Sequence, residues 1–142
     1  MKVDIKRTDE ALEPYAVIYC REISEEVQLA AESLSRAGNV ITVYDKGSLV
    51  VLQRRELYMI RAEEGRTRLY TRDASYDSPK PLREYELLSG FMRISKFCII
   101  NLEMIKRFDP MFSGTMQVTL KNGLKDSISR KYLTEMKRYL GL

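Results

Sequence analysis

The sequence contains no histidine and only 2 cysteines. Without histidine the commonest general base is missing, and so is every serine–histidine or cysteine–histidine nucleophile pair. The two cysteines, Cys20 and Cys98, lie far apart and form no CxxC pair. A structural zinc site needs about four soft or imidazole ligands, so these residues do not supply one. Most hydrolytic and zinc-dependent enzyme classes are therefore excluded.

Glycine-rich phosphate loops are also absent, because the 7 glycines are spread over turn positions. The adjacent acidic pairs Glu25/Glu26 and Glu63/Glu64 occur at a predicted helix start and in a predicted turn, where solvated charge is the usual explanation. We therefore predict no enzymatic activity, no cofactor and no metal. No run approaches the roughly 18 apolar residues of a membrane span. Charged residues occupy the N-terminus where a signal peptide would be apolar, which predicts a cytoplasmic chain.

The charges that are present are divided unevenly along the chain. Residues 1–50 carry 6 basic and 9 acidic side chains, whereas residues 51–142 carry 18 basic and 11 acidic ones. The first segment is thus net negative and the second strongly net positive, within a composition of 44% hydrophobic residues that suits one compact domain. A basic segment of this kind favours an anionic partner such as nucleic acid, although solvated surface charge is the common alternative.

The N-terminal segment predicts two strands and a helix. Val3–Lys6 and Tyr15–Cys20 have the apolar content of strands, and the second resembles a strand buried on both faces. Ser24 is suited to cap a helix whose apolar residues recur every three or four positions, and Gly38 is suited to end it.

From residue 40 onward the pattern predicts short strands joined by turns. A meander over residues 40–71 is followed by a short helix at 82–88, then by a strand, turn and strand within MRISKFCIINLEMIKRF, residues 92–108. In that stretch we assign Ile94 and 98–100 to the core and Ser95-Lys96 to an exposed loop. Alternation over 116–120 and the Asn122-Gly123 pair predict a hairpin, and a helix follows from Arg130 to Leu140.

The order of these features resembles the LytTR family of bacterial DNA-binding domains. FMRISKFCIINLEMIKRF (91–108) and MQVTLKNGLKDSISRKYLTEMKRYLG (116–141) carry the resemblance, which extends over about Leu49 to Leu140. The matching pattern is an aromatic and basic start, a basic residue before a strand ending in Ile-Asn, an Asn-Gly turn and a closing Ser-Arg. Where the family commonly has His, then Arg or Lys, then Ser, this chain has Ser95-Lys96-Phe97.

The resemblance implies a mostly β (α+β) fold, an elongated arrangement of small antiparallel sheets with short helices, whose loops enter the major groove of double-stranded DNA. It implies three DNA-contacting loops, with Arg130 and Lys96 as the leading candidates for base contact. Asn101 is assigned to the turn that follows it and not to DNA. The residues implied to contact DNA are Arg66, Thr67, Arg68, Ser95, Lys96, Ser129, Arg130 and Lys131, with Lys121 and Lys125 as further phosphate contacts.

The resemblance also implies an organisation and partners. We predict an N-terminal strand-strand-helix extension over residues 1–45, packed on or beside a DNA-binding domain over 46–142. Because fewer than 50 residues precede the match, the chain resembles the short stand-alone branch of the family, without a receiver domain. Resemblance to that branch implies that the chain forms a homodimer at least on DNA, with a small membrane protein as a possible partner. Two alternatives stay open: a protein-interaction module that does not bind DNA directly, and a small enzyme or ligand sensor.

Overall fold

The computed structural model describes residues 1–11, 14–37 and 40–142. The chain separates into two compact units, Met1–Ala37 and Gly38–Leu142. The first contains helix α1 (Glu25–Arg36), which begins as predicted: the Ser24 hydroxyl accepts a hydrogen bond from the Val27 amide at 3.3 Å. The predicted role of Gly38 lies outside the described residues. No helix in the described parts of the chain is long and apolar enough to cross a membrane.

The two strands predicted before α1 are wrong. The described residues of Val3–Lys6 and Tyr15–Cys20 have no strand structure, and Ile5 and Tyr19 are 92% and 93% exposed. The physical reason is that a strand exists only as a member of a sheet, since its amide and carbonyl groups need partners. The described residues of the first unit contain no other strand, so an apolar run there has nothing to pair with.

The second unit forms three antiparallel sheets, which confirms the mostly β prediction. A two-stranded sheet has the order β1-β2, a five-stranded sheet the order β5-β4-β3-β7-β6, and a three-stranded sheet the order β10-β9-β8. Helix α2 (Arg130–Tyr139) follows the last strand. The strands are β1 (Val40–Asp45), β2 (Ser48–Gln53), β3 (Met59–Glu63), β4 (Arg66–Tyr70), β5 (Ser75–Ser78), β6 (Phe91–Ser95), β7 (Cys98–Asn101), β8 (Ile105–Pro110), β9 (Met116–Leu120) and β10 (Lys125–Ile128).

The predicted division after residue 45 falls inside a hairpin. β1 and β2 pair from Val40↔Gln53 to Asp45↔Ser48, and the compact units divide after Ala37. Val43 of β1 is 1% exposed within the core of the second unit. Residues 40–45 therefore belong with the strands that follow them, and the packing of the N-terminal extension on the main domain stays a prediction.

The three hairpin turns predicted from the sequence form, but they differ in backbone geometry. Lys46-Gly47 and Glu64-Gly65 have positive φ at both residues, the geometry of the two-residue turns that match the twist of paired strands. Asn122-Gly123 forms the predicted hairpin differently. Only Gly123 has a positive φ, and the Leu120 amide donates to the Leu124 carbonyl at 2.8 Å, which makes the loop 121–123.

The five-stranded sheet separates two hydrophobic clusters. Ile60, Leu69 and Ile99 pack with residues of the β1–β2 hairpin in the first cluster. Met59 and Ile100, their neighbours along β3 and β7, pack with the three-stranded sheet and α2 in the second. Because side chains alternate between the faces of a strand, β3 and β7 supply both clusters. This explains why all four residues of β7 are buried and confirms the core assignment of Ile94 and 98–100.

The two cysteines should differ sharply in reactivity. Cys98 is fully buried, and burial raises the pKa of its thiol, with a further upward contribution from Asp126, while Cys20 is exposed. Thiolate is the reactive form. We therefore expect a thiol-specific chromogenic reagent at pH 8 to modify one cysteine in the native chain and both in urea. A Cys20→Ser variant should be unreactive until it unfolds, and rapid native labelling of that variant would contradict the burial of Cys98.

Candidate nucleic-acid interface

Three chain segments meet at one end of the second unit. The β3–β4 turn lies beside the β6–β7 turn, because the Ala62 amide donates to the Phe97 carbonyl at 2.9 Å. The junction of β10 and α2 lies beside the end of β6, because the Ser129 amide donates to the Ile94 carbonyl at 2.8 Å. We call this region the loop end and define it as residues 64–66, 95–97 and 129–131. The resemblance implied loops at 66–68, 95–96 and 129–131. The last two lie here, but 66–68 is part of strand β4 and only Arg66 borders the turn.

Lys96 occupies the tip of the β6–β7 turn and is exposed. The turn is braced on both sides: the Ser95 hydroxyl accepts from the Phe97 amide at 3.2 Å, and the Arg93 guanidinium donates to the Lys96 carbonyl at 2.7 Å. The Lys96 ammonium lies 5.6 Å from the centre of the Phe97 ring, within the range of a cation–π contact. Among the described residues no carboxylate pairs with Lys96, so its charge is available to an external anion.

Arg130 is the first residue of α2 and is also exposed. Its Nη2 donates to the Ser113 carbonyl at 2.7 Å, which fixes the guanidinium and leaves its other donors free. Ser129 occupies the position before the helix, as predicted, but its hydroxyl makes no capping hydrogen bond. Its carbonyl accepts instead from the Tyr132 and Leu133 amides at 3.0 and 3.1 Å.

Arg66 and Arg68 are already occupied by acidic side chains. Arg66 Nη1 lies 2.8 Å from Asp77 Oδ2, with the arginine side chain 57% exposed. Arg68 is less exposed and donates to the Ser75 hydroxyl at 2.9 Å, while Asp77 lies 3.6 Å from its Nη1. These contacts tie β4 to β5, so Arg68 supports the sheet edge, and the early loop presents less free positive charge than its sequence suggests.

Besides Arg68, three of the implied contact residues lie outside the loop end. Thr67 is 6% exposed and pairs with Ser78 in the sheet. Lys121 and Lys125 lie at the opposite end of the β9–β10 hairpin, where the Asn122 side-chain amide donates to the Thr71 carbonyl just beyond β4. Thr67 is therefore excluded from the interface proposed below, and the two lysines serve as distant controls.

Several structurally important groups were missed or only partly seen in the sequence. Arg61 on β3 pairs with Asp126 on β10 at 3.3 Å and joins the two larger sheets. The Tyr70 hydroxyl donates to Glu63, and burial together with that carboxylate raises the pKa of Tyr70 to about 12. Asn101 was assigned correctly, because its side chain accepts from the Glu103 amide at 3.1 Å. It also donates to the Leu57 carbonyl at 2.9 Å, a contact 44 residues away that no local pattern indicates.

Comparison with known proteins decides the family. The model of the LytTr DNA-binding domain matches residues 47–141. The chain belongs to the LytTr DNA-binding domain family. The resemblance stated from the sequence is therefore confirmed. The assignment of particular residues of this LytTr domain to DNA contact stays a prediction.

Relatives with this domain are longer proteins. The sensory transduction protein LytT of Bacillus subtilis is 29% identical over 141 residues, which is 96% of this chain and 56% of that protein. The transcriptional regulatory protein LytR of Staphylococcus aureus is 24% identical over 140 residues, 96% of this chain and 57% of that protein. The chain thus spans little more than half the length of these relatives, and its membership of a stand-alone branch stays a prediction.

A solved structure shares the fold. The LytTr DNA-binding domain of a putative methyl-accepting/DNA response regulator from Bacillus cereus superposes with a TM-score of 0.68 and 20% sequence identity. The likeness covers 73% of this chain and 98% of the other. At that identity it establishes the arrangement of strands and helices and not the residues that bind DNA.

Proposed function

We propose that this chain is a sequence-specific DNA-binding transcriptional regulator that reads the major groove through the loop end. One observation supports this most strongly. Segments 64–66, 95–97 and 129–131 are more than 25 residues apart from one another in sequence, yet main-chain hydrogen bonds hold them side by side. Four exposed cations are concentrated there: Arg66, which is paired with Asp77, and Lys96, Arg130 and Lys131. Basic side chains gathered on turns suit a polyanion with a readable groove.

Each residue has a role that follows from its chemistry. Arg130 has a planar fork of donors that can bind O6 and N7 of guanine together, and its bond to Ser113 limits its freedom before binding. Lys96 contacts a base or an adjacent phosphate, and Lys131 a phosphate. Arg66 exchanges Asp77 for a phosphate at small cost, because an exposed ion pair contributes only about 0–1 kcal/mol.

The partners implied by the resemblance belong to the same proposal. A binding site of paired repeats would hold two protomers, so we propose a dimer at least on DNA, acting in the cytoplasm where the chromosome lies. A small membrane protein is the proposed controlling partner. The rival function, an interaction module without DNA binding, is not favoured by the family match and is separated by the experiment below.

Selection from a random DNA library tests the proposal. The full chain is mixed at about 150 mM salt with duplexes that contain a randomised core, bound duplexes are amplified over several rounds, and affinity is measured by fluorescence anisotropy. We expect one motif to be enriched and to bind at least about a thousand-fold more tightly than random DNA. No enrichment, together with no binding at micromolar protein, would overturn the proposal in favour of the interaction module.

The salt dependence of binding should distinguish the two ends of the domain. Each phosphate contact contributes about one unit to the slope of log affinity against log salt concentration. Lys131→Ala should therefore lower the slope by about one on both selected and random DNA, whereas Lys121→Ala should leave it unchanged. Equal loss of slope in the two variants would show that the loop end is not the surface that faces the phosphates.

A further inference from the structure

The β8–β9 loop, residues 111–115, presents an aromatic ring that the fold does not use. Phe112 is 113% exposed, the largest exposed fraction among the described large hydrophobic residues. The loop that carries it is ordered: the Met111 amide donates to the Thr115 carbonyl at 3.0 Å, and the Ser113 and Thr115 hydroxyls are 2.8 Å apart. A single exposed apolar side chain is common on protein surfaces, so its meaning depends on where it lies.

The loop lies beside segment 129–131 of the loop end. β8 and β9 pair up to Pro110↔Met116, and Met116 is opposite Ile128, the residue before Ser129. The Arg130 guanidinium is bound to the carbonyl of Ser113, the residue that follows Phe112. Phe112 is thus next in the chain to the residue that binds the Arg130 guanidinium.

We propose that Phe112 is a DNA contact whose ring packs against a thymine methyl group in the groove that Arg130 enters. The inference rests on the proposed function and deepens it. The thymine methyl is the one apolar group on the major-groove edges of the bases, and phenylalanine is among the side chains that contact it. DNA fits this loop better than a protein partner does, because the residue after Phe112 holds the exposed cation Arg130, and the exposed Lys131 follows Arg130 in the chain. The pair Phe112 and Arg130 would then read a thymine close to a guanine.

Phe112→Ala tests the contact at little risk to folding, because the ring touches nothing that stabilises the domain. We expect its affinity for the duplex selected by the wild-type chain to fall about ten-fold, the effect of losing one buried apolar side chain. The slope of affinity against salt should not change, since no charge is removed. The matched control is Leu87→Ala, whose side chain is 90% exposed and lies in the segment before Gly90, at the end of the five-stranded sheet away from Lys96. It should bind as the wild type does.

Uracil substitution locates the contact on DNA. Replacing each thymine of the selected duplex by uracil, one position at a time, removes only the methyl group. At one position the wild-type chain should lose affinity while Phe112→Ala does not. The proposal is overturned if Phe112→Ala binds like the wild type, if every uracil affects both proteins equally, or if the variant is impaired only on paired sites, which would indicate a contact between protomers. A wild-type chain that selects no DNA would overturn the proposed function itself.

Discussion

Arg130→Ala should bind the selected duplex about 5- to 150-fold more weakly than the wild type, a loss of about 1–3 kcal/mol, and should discriminate less between that duplex and random DNA. The reason is that alanine removes the fork of donors held in place by the Ser113 carbonyl. Arginine reads a base edge with two parallel hydrogen bonds, and the other arginine of the loop end, Arg66, is paired with Asp77. Anisotropy titrations on both duplexes measure the two effects together.

Arg130→Lys is the informative control for this prediction. It keeps the charge and loses the fork, so we expect it to retain most of the salt dependence while discriminating as poorly as Arg130→Ala. Thermal unfolding of both variants checks that α2 is intact. If folded Arg130→Ala retains both affinity and discrimination, the assignment of Arg130 as a base-reading residue is wrong.

Asn101→Ala should lower the free energy of unfolding by about 2–4 kcal/mol. Asn101 is 3% exposed, and its side chain bonds the Leu57 carbonyl and the Glu103 amide. Alanine leaves the Leu57 carbonyl without its partner in the interior, where an unmade hydrogen bond costs about 1–3 kcal/mol, and it also removes the part-buried bond to the Glu103 amide. Urea unfolding followed by circular dichroism measures the loss.

Asn122→Ala provides the matched comparison. Asn122 makes the same kinds of bond, to the Thr71 carbonyl and the Leu124 amide, but it is only partly buried, so water can replace its side chain. We expect its loss to be about 1 kcal/mol. A cost for Asn101→Ala no greater than that for Asn122→Ala would show that the buried bonds of Asn101 do not tie β7 to the segment before β3.

Local signals in the sequence predicted the strands that have partners nearby in the chain. Turns such as Lys46-Gly47 and Glu64-Gly65 have the positive φ values that their residues allow, and each joins two strands that pair at once. The same kind of apolar pattern failed at Val3–Lys6, because strand formation depends on a partner and not on composition alone. A sequence pattern therefore shows that a segment is suited to be a strand, but not that a partner strand is present.

The sequence predicted which segments form most of the candidate site, but not which of its basic side chains are paired with acidic ones. The resemblance identified the segments around Lys96 and Arg130, and the fold brings them together. The pairing of Arg66 with Asp77 arises from the register of β4 and β5, and the position of Lys121 from the direction of its hairpin. The sequence of residues 111–115 gave no sign that their loop reaches Arg130, because that contact spans 17 residues and depends on how β10 leads into α2.

Strands β3 and β7 are shared between the two hydrophobic clusters, which links the packing of the core to the turns of the loop end. The same two strands supply side chains to both clusters, so disorder in either strand removes packing from both. The turns of Glu64-Gly65 and Lys96-Phe97 are continuous with those strands. We therefore expect a loss of packing in either cluster to weaken the support of both turns. If these turns bind DNA as proposed, we expect bound DNA to raise the free energy of unfolding of the domain that they support.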